Sequence, residues 1–147
     1  MGELRSRDAP STVPPGQCDR NNILHALAAL IAGVTRVTTS AVLGPDQARL
    51  AEITCAALAA TRERDAVRES ACAWALVELL LSLCPNAFLA ATTRSAIAAL
   101  ELVDNRTCHI DVPCWGKLED GYLRLLDTVR TTDAIAAERA LKTVFGL

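Results

Sequence analysis

Aromatic side chains are scarce in this chain: two Trp, one Tyr and two Phe make up only 3% of its 147 residues. Apolar residues nevertheless account for 51% of the sequence, so the hydrophobic core must consist mainly of Leu, Val, Ile and Ala. Small side chains such as Ala allow helices to approach one another closely. A chain of this length buries about two thirds of the surface that it exposes when unfolded, which predicts one domain with a substantial core.

A strong charge of either sign is also lacking. The 15 Lys and Arg residues are scattered among 17 Asp and Glu residues, which gives a net charge of −2 and a pI near 5.7. Nucleic-acid-binding proteins concentrate their basic residues on one face or along one helix. The sequence therefore predicts no nucleic-acid partner.

Signals for secretion and for membrane anchoring are missing from the sequence. Residues 1–19 are polar and carry Pro10, Pro14 and Pro15, whereas a signal peptide needs an apolar segment of about 7–15 residues. We interpret 1–19 as a flexible leader and 20–147 as a single helical domain. The chain also ends without an apolar tail of about 18 residues, so no transmembrane anchor is expected. Disulfides form in secretory compartments, and the sequence carries no secretion signal, so we expect an intracellular protein whose cysteines are reduced.

Catalytic and metal-binding motifs are equally scarce. The sequence contains no HExxH, no CxxC pair, no glycine-rich phosphate loop and no GxSxG, which are the patterns that carry hydrolytic, redox and phosphate chemistry. Cys108, His109 and Cys114 are close in sequence, but their spacing does not supply the four ligands of a structural zinc site. We expect no enzymatic activity, no catalytic residue, no cofactor and no metal.

Helical spacing of apolar residues runs through almost the whole sequence and predicts an all-α fold. The patterns indicate a first helix at about 21–38, weakened by Thr38-Thr39-Ser40, and a second that opens at Gly44-Pro45-Asp46. A run at 71–84 is apolar nearly all round and a return helix follows at about 86–103, so 71–103 is predicted to form a buried helical hairpin. Two further helices are expected, one from Trp115 and one after Thr131-Thr132-Asp133.

One motif in the second half of the chain is unusual because it holds two of the few aromatic residues. Trp115 is followed, after five residues, by Gly121 and Tyr122, and then by Leu125. This order resembles the second homology motif of the Bcl-2 family. Trp74 opens the most apolar helix, as a Trp does in the first homology motif of that family, and the separation of the two Trp residues is similar to the family's own.

The resemblance covers about residues 66–130 and is greatest to short, divergent viral Bcl-2 homologues. It implies a compact Bcl-2-like helical bundle around a central hydrophobic helical hairpin. The residues that match the two motifs would be anchors of the core: Trp74, Trp115, Gly121 and Tyr122.

The function that this resemblance implies is inhibition of apoptosis. Family members of this kind sequester the third homology segment of pro-apoptotic relatives, an amphipathic helix, in a hydrophobic surface groove. Leu76 stands where the family has an Arg that pairs with an Asp of the ligand, so we expect narrower or weaker ligand binding unless Arg64 or Arg68 supplies that charge. The groove residues implied are Ile53, Ala57, Leu58, Arg64, Val67, Arg68, Ala73, Ala75, Leu76, Leu79 and Leu83.

Three alternatives stay open at this point. Some viral proteins of this fold bind host innate-signalling adaptors through other surfaces, with no ligand groove in use. A secreted, cytokine-like helical factor with disulfides is a second alternative. Self-association is a third: a homodimer would compete with the ligand if it covered the groove. For the leading hypothesis we expect the protein in the host cytoplasm, with peripheral association at mitochondria through its partners.

Overall fold

Six α-helices account for the regular structure in the part of the chain that this computed structural model describes. It describes residues 15–104 and 113–146, with the side chains of 20–102 and 113–146. The helices are α1 (Pro15–Ala41), α2 (Pro45–Arg62), α3 (Ala66–Leu83), α4 (Ala87–Asp104), α5 (Trp115–Thr131) and α6 (Ala134–Val144). The all-α prediction is confirmed for the described residues.

The helix ends follow from local sequence. The chain turns between α1 and α2 at Gly44, whose φ of 62° suits a residue without a Cβ, and Pro45 then begins α2. Asp65 caps α3 by accepting a hydrogen bond from the backbone N–H of Arg68 at 3.0 Å. Asp133 caps α6 in the same way, by accepting a hydrogen bond from the backbone N–H of Ala136. The cap at Asp65 explains why α3 begins five residues before the expected start.

Helix α1 is longer at both ends than the sequence predicts. It begins at Pro15, inside the segment expected to be a leader, since Pro is well suited to the first turn of a helix; residues 1–14 lie outside the described residues. It also continues through the three hydroxyl residues that were expected to weaken it. The buried hydroxyl of Thr38 donates to the carbonyl oxygen of Leu80 in α3 at 3.3 Å, so tertiary contact satisfies it.

The segment Arg20–Ala41 of α1 is, by length and composition, the one helix among the described residues that could cross a membrane. Its mean hydropathy is 1.4, and 39% of that window is buried against the rest of the protein. Core helices of globular proteins and N-terminal signal sequences have the same composition.

The helices pack as a closed ring in the order α1, α3, α2, α5, α6 and back to α1, and α4 lies outside the ring along α1. The core is built from aliphatic residues of all six helices, with Tyr122 as its one fully buried aromatic side chain. A central hairpin of α3 and α4 is not observed, because α4 packs along α1 and α3 packs along α2. Helical periodicity identifies the apolar face of a helix but does not identify the neighbour that covers it.

Gly121 marks the closest approach of α5 and α6. A Cβ placed on this residue would lie 2.8 Å from Cγ2 of Val144, 3.1 Å from its backbone nitrogen and 3.4 Å from the carbonyl oxygen of Ala140. The missing side chain therefore allows the two helix backbones to come together and brings the end of α6 next to the start of α5.

Candidate functional site

An open cleft of about 530 Å³ lies where the first half of α3, the start of α5 and the end of α6 meet, with Arg20 of α1 at its edge. The close contact of α5 and α6 at Gly121 positions Val144 and Phe145 opposite α3. The residues that line the cleft include Glu69, Ser70, Trp74, Lys117, Val144 and Phe145.

Two aromatic rings form the apolar wall of the cleft. The centroids of Trp74 and Phe145 are 6.5 Å apart with the rings tilted by 60°, within the range of favourable aromatic pairs. Trp74 keeps 38% of its surface exposed and lines the cleft. A smaller apolar cavity of about 150 Å³ lies on the other side of the same rings, between α1, α4 and α6.

A buried polar pair lies beneath the cleft. Glu69 is 8% exposed and accepts a short hydrogen bond from the hydroxyl of Tyr122, which is itself fully buried. Burial raises the pKa of Tyr122 far above its usual range, and the hydrogen bond and negative charge of Glu69 raise it further. The pair therefore holds the phenol in its neutral form and links α3 to α5 at the base of the cleft.

The mouth of the cleft is polar and carries positive charge. Lys117 is exposed on the first turn of α5, next to Cys114, and Arg20 approaches from α1. Ser70 is exposed on α3 and also lines the cleft. The cleft thus combines an apolar wall with a basic mouth.

The described residues contain no cluster of three or more His, Cys, Asp or Glu side chains that could hold a metal ion. Cys55, Cys72, Cys84 and Cys114 are free thiols. Cys108 and His109, which the sequence places near Cys114, lie outside the described residues.

The residues expected to form the ligand groove are divided between core and surface. Five are buried, two are half-buried and four are exposed. The buried residues are Ala57, Leu58, Ala73, Leu76 and Leu79; the half-buried are Ile53 and Leu83; the exposed are Arg64, Val67, Arg68 and Ala75. Because Leu58 and Leu76 are buried in the packed core, a ligand could reach them only if neighbouring helices separated.

The two expected charge partners and the four expected anchors also differ in their surroundings. Arg68 pairs with Glu63 at 2.8 Å, and Arg64 occupies the turn between α2 and α3 with a φ of 55°. Gly121 and Tyr122 are buried, as expected of core anchors, whereas Trp115 is half-buried and Trp74 is exposed to the cleft. Of the eleven groove residues, Ala73 is the one that lines this cleft.

Sequence reasoning placed none of Glu69, Lys117 and Phe145 in a functional site. One signal was present, since Glu69 lies four and seven positions before Ala73 and Leu76 and therefore shares their buried face. A carboxylate on a buried face needs a hydrogen-bond donor, and the only Tyr of the chain supplies it. The positions of Lys117 and Phe145 depend on helix pairing, for which the sequence carries no comparable signal.

Comparison of the chain with family models, with curated proteins and with solved structures finds no match.

Proposed function

We propose that this protein is a non-catalytic inhibitor of apoptosis that sequesters the amphipathic ligand helix of a pro-apoptotic partner in the cleft between α3, α5 and α6. The observation that carries the proposal is the cleft itself, with its apolar wall and basic mouth. An amphipathic helix that binds in a groove presents large apolar residues at helical spacing. Trp74 and Phe145 provide the surface that would contact such residues.

The charge at the mouth supports a ligand helix with an acidic residue. The first family-like motif has Leu76 in place of the Arg that would pair with the Asp of the ligand, and Leu76 is 1% exposed in the core. Lys117 is exposed, makes no ion pair with any described residue, and lies in the same cleft as Trp74. We therefore assign to Lys117 the pairing role that the sequence suggested for Arg64 or Arg68.

The two family-like motifs meet at this cleft. Trp74 belongs to the first motif, and the helix that begins with the second motif contributes Lys117 and Leu118. A Bcl-2-like relationship is part of the proposal and depends on these motifs alone. The proposed binding location differs from the groove expected from the sequence, because the ligand would bind beside the first half of α3 and not between α2 and α3.

Isothermal titration calorimetry against peptides of the third homology segment tests the proposal. The Ser70→Trp variant would fill the cleft from an exposed position of α3 and is expected to abolish binding. Ala71→Trp is the matched control, because Ala71 is also exposed on α3 but does not line the cleft. Ala75→Glu distinguishes the two locations, since it blocks a groove over the middle of α3 and leaves this cleft open.

Charge reversal tests the role of Lys117 separately. Lys117→Glu is expected to weaken binding of an acidic ligand peptide about tenfold, on the scale of one partly exposed ion pair and its replacement by repulsion. Arg130→Glu, on an exposed position at the far end of α5, should leave binding unchanged. Binding by Ser70→Trp at the level of the original chain, or no binding by any peptide to the folded protein, would refute the cleft.

One observation favours a second candidate function. The direct packing of α2 on α3 fills the place where the family-like groove was expected, which fits the alternative of binding to innate-signalling adaptors through outer surfaces. Silence across the peptide panel from a folded sample would favour this alternative.

A further inference from the structure

The outer face of α4 is apolar and uncovered. Phe88 and Leu102 are 82% and 66% exposed, and Ala91, Ser95 and Ala98 between them are exposed as well. These five residues follow one another at steps of three and four positions, the spacing of a coiled-coil seam. The opposite face of α4 packs on α1, so the seam is additional to the surface that holds α4 in the fold.

The seam can be buried without leaving a polar group unpaired. Ser95 donates its hydroxyl to the carbonyl oxygen of Ala91 at 3.1 Å, and the neighbouring Thr92 donates to the carbonyl oxygen of Phe88 at 2.8 Å. Both hydroxyls are therefore satisfied within the helix. Small residues in the middle of the seam would also allow two helices to approach closely.

The charges beside the seam specify what can cover it. Between residues 87 and 102, α4 carries two charges, Arg94 and Glu101, and both are exposed. Arg94 immediately precedes Ser95 and Glu101 immediately precedes Leu102. Because the two charges are seven positions apart, they lie on the same side of the seam. In an antiparallel helix pair, the positions that precede the seam in this way face each other across the interface.

We propose that α4 pairs with α4 of a second copy of this chain in an antiparallel homodimer. With Ser95 opposite Ala98 of the other copy, Leu102 lies opposite Ala91, and Arg94 faces Glu101 twice by symmetry. In the other copy, Phe88 lies three residues before the Ala91 that faces Leu102, which is about 4.5 Å along the helix. At that distance the Phe88 ring can cover the side of Leu102. The large residues at the ends of the seam thus meet small ones.

The same charges exclude the other registers. A shift of one heptad in either direction places Arg94 opposite Arg94 or Glu101 opposite Glu101, which are repulsive contacts. A parallel pair places Arg94 opposite Ala99 and leaves it without a partner across the interface. Within one copy, Arg94 is 3.9 Å from Glu78 with both side chains about half exposed, a weak contact that leaves Arg94 able to turn towards a second copy.

This dimer does not depend on the proposed function. None of the α4 side chains that the structure describes lines the cleft of about 530 Å³, so both copies could bind a ligand. The dimer therefore differs from one that covers the groove, which was an alternative from the sequence.

Sedimentation velocity of the full chain over a range of concentrations tests the dimer. One short helix from each copy is a small interface, so we expect a Kd of about 10–100 µM. Arg94→Glu alone and Glu101→Arg alone should each raise the Kd about tenfold, because two ion pairs become two repulsive pairs. The double variant restores both pairs in reversed orientation and should return the Kd to within about threefold of the original.

Arg124→Glu, an exposed charge reversal on α5, is the matched control and should not change the Kd. Leu102→Lys should leave the chain monomeric at all concentrations, with helix content unchanged by circular dichroism because Leu102 lies outside the core. A monomer across the concentration range, or single variants that dimerise as well as the original, would overturn the proposal. A double variant as weak as the singles would exclude the antiparallel register.

Discussion

Replacement of Gly121 by Ala is the sharpest test of how α5 and α6 are joined. The new methyl group would meet Cγ2 of Val144 at 2.8 Å, which is closer than Cβ atoms are found in proteins, and the backbone nitrogen of Val144 at 3.1 Å. A different rotamer of Val144 could relieve the first contact but not the second. The substitution therefore requires α5 and α6 to move apart.

The expected magnitude is the difference between two effects of opposite sign. Overpacking at a close helix contact costs about 1–3 kcal/mol. Ala in place of Gly within a helix gains about 0.5–1 kcal/mol through backbone entropy and propensity. The free energy of unfolding of Gly121→Ala should therefore be lower by about 0.5–2 kcal/mol.

Gly116 provides a control in the same helix. It lies one turn earlier in α5, is exposed, and a Cβ there would meet nothing within 4 Å. Gly116→Ala should leave the free energy of unfolding unchanged or raise it by up to about 1 kcal/mol. Urea denaturation followed by circular dichroism measures both variants, and equal stability of the two would refute the close approach of α5 and α6.

Three further predictions concern the buried pair and the helix caps. The chain has one Tyr, so phenolate absorbance during an alkaline titration reports Tyr122 alone. Folding raises the pKa of Tyr122 above the value of about 10 that the phenol has in the unfolded chain. The neutral phenol therefore contributes its full share of the free energy of unfolding below a pH of about 10, and this share is lost as the pH rises above that value. Absorbance should rise only as the protein unfolds, and ionisation near pH 10 with intact helices would contradict the burial of this side chain. Tyr122→Phe leaves the Glu69 carboxylate without its donor and should lower the free energy of unfolding by about 1–3 kcal/mol, whereas an unchanged urea midpoint would show that the hydrogen bond is not formed. Asp65→Ala and Asp133→Ala should each cost about 1 kcal/mol in the same assay through loss of a helix cap, with Asp→Asn at either position as the control that keeps it.

The helices themselves could largely be predicted from the sequence. The start of α2 at Pro45 and the stripes of α4 and α5 follow from Pro, Asn and apolar spacing, which act within a few residues of one another. The larger errors were at the starts of α1 and α3, and α1 also ends three residues beyond the expected position. There, the hydroxyl of Thr38 finds its acceptor at Leu80, a residue 42 positions away, and no local signal shows that this acceptor is available.

The candidate site could be predicted only in part. Trp74 was singled out as a core anchor because it resembles the Trp of the first homology motif, but it is exposed and lines the cleft. Leu76 and Leu79, placed in the same groove, are buried in the core of the helical bundle. Lys117 and Phe145 enter the site from helices that the sequence gives no reason to place beside α3.

The sequence by itself determined the helical class and most helix boundaries, because hydrogen bonding, caps and apolar periodicity act over a few residues. Only the tertiary structure decided that α4 lies outside the ring along α1 and that α6 returns to α1. The reason is that a helix of Leu and Ala offers nearly the same apolar surface to any neighbour, so its partner is selected by close contacts between distant residues. Gly121 against Val144, and Glu69 with Tyr122, are two such contacts.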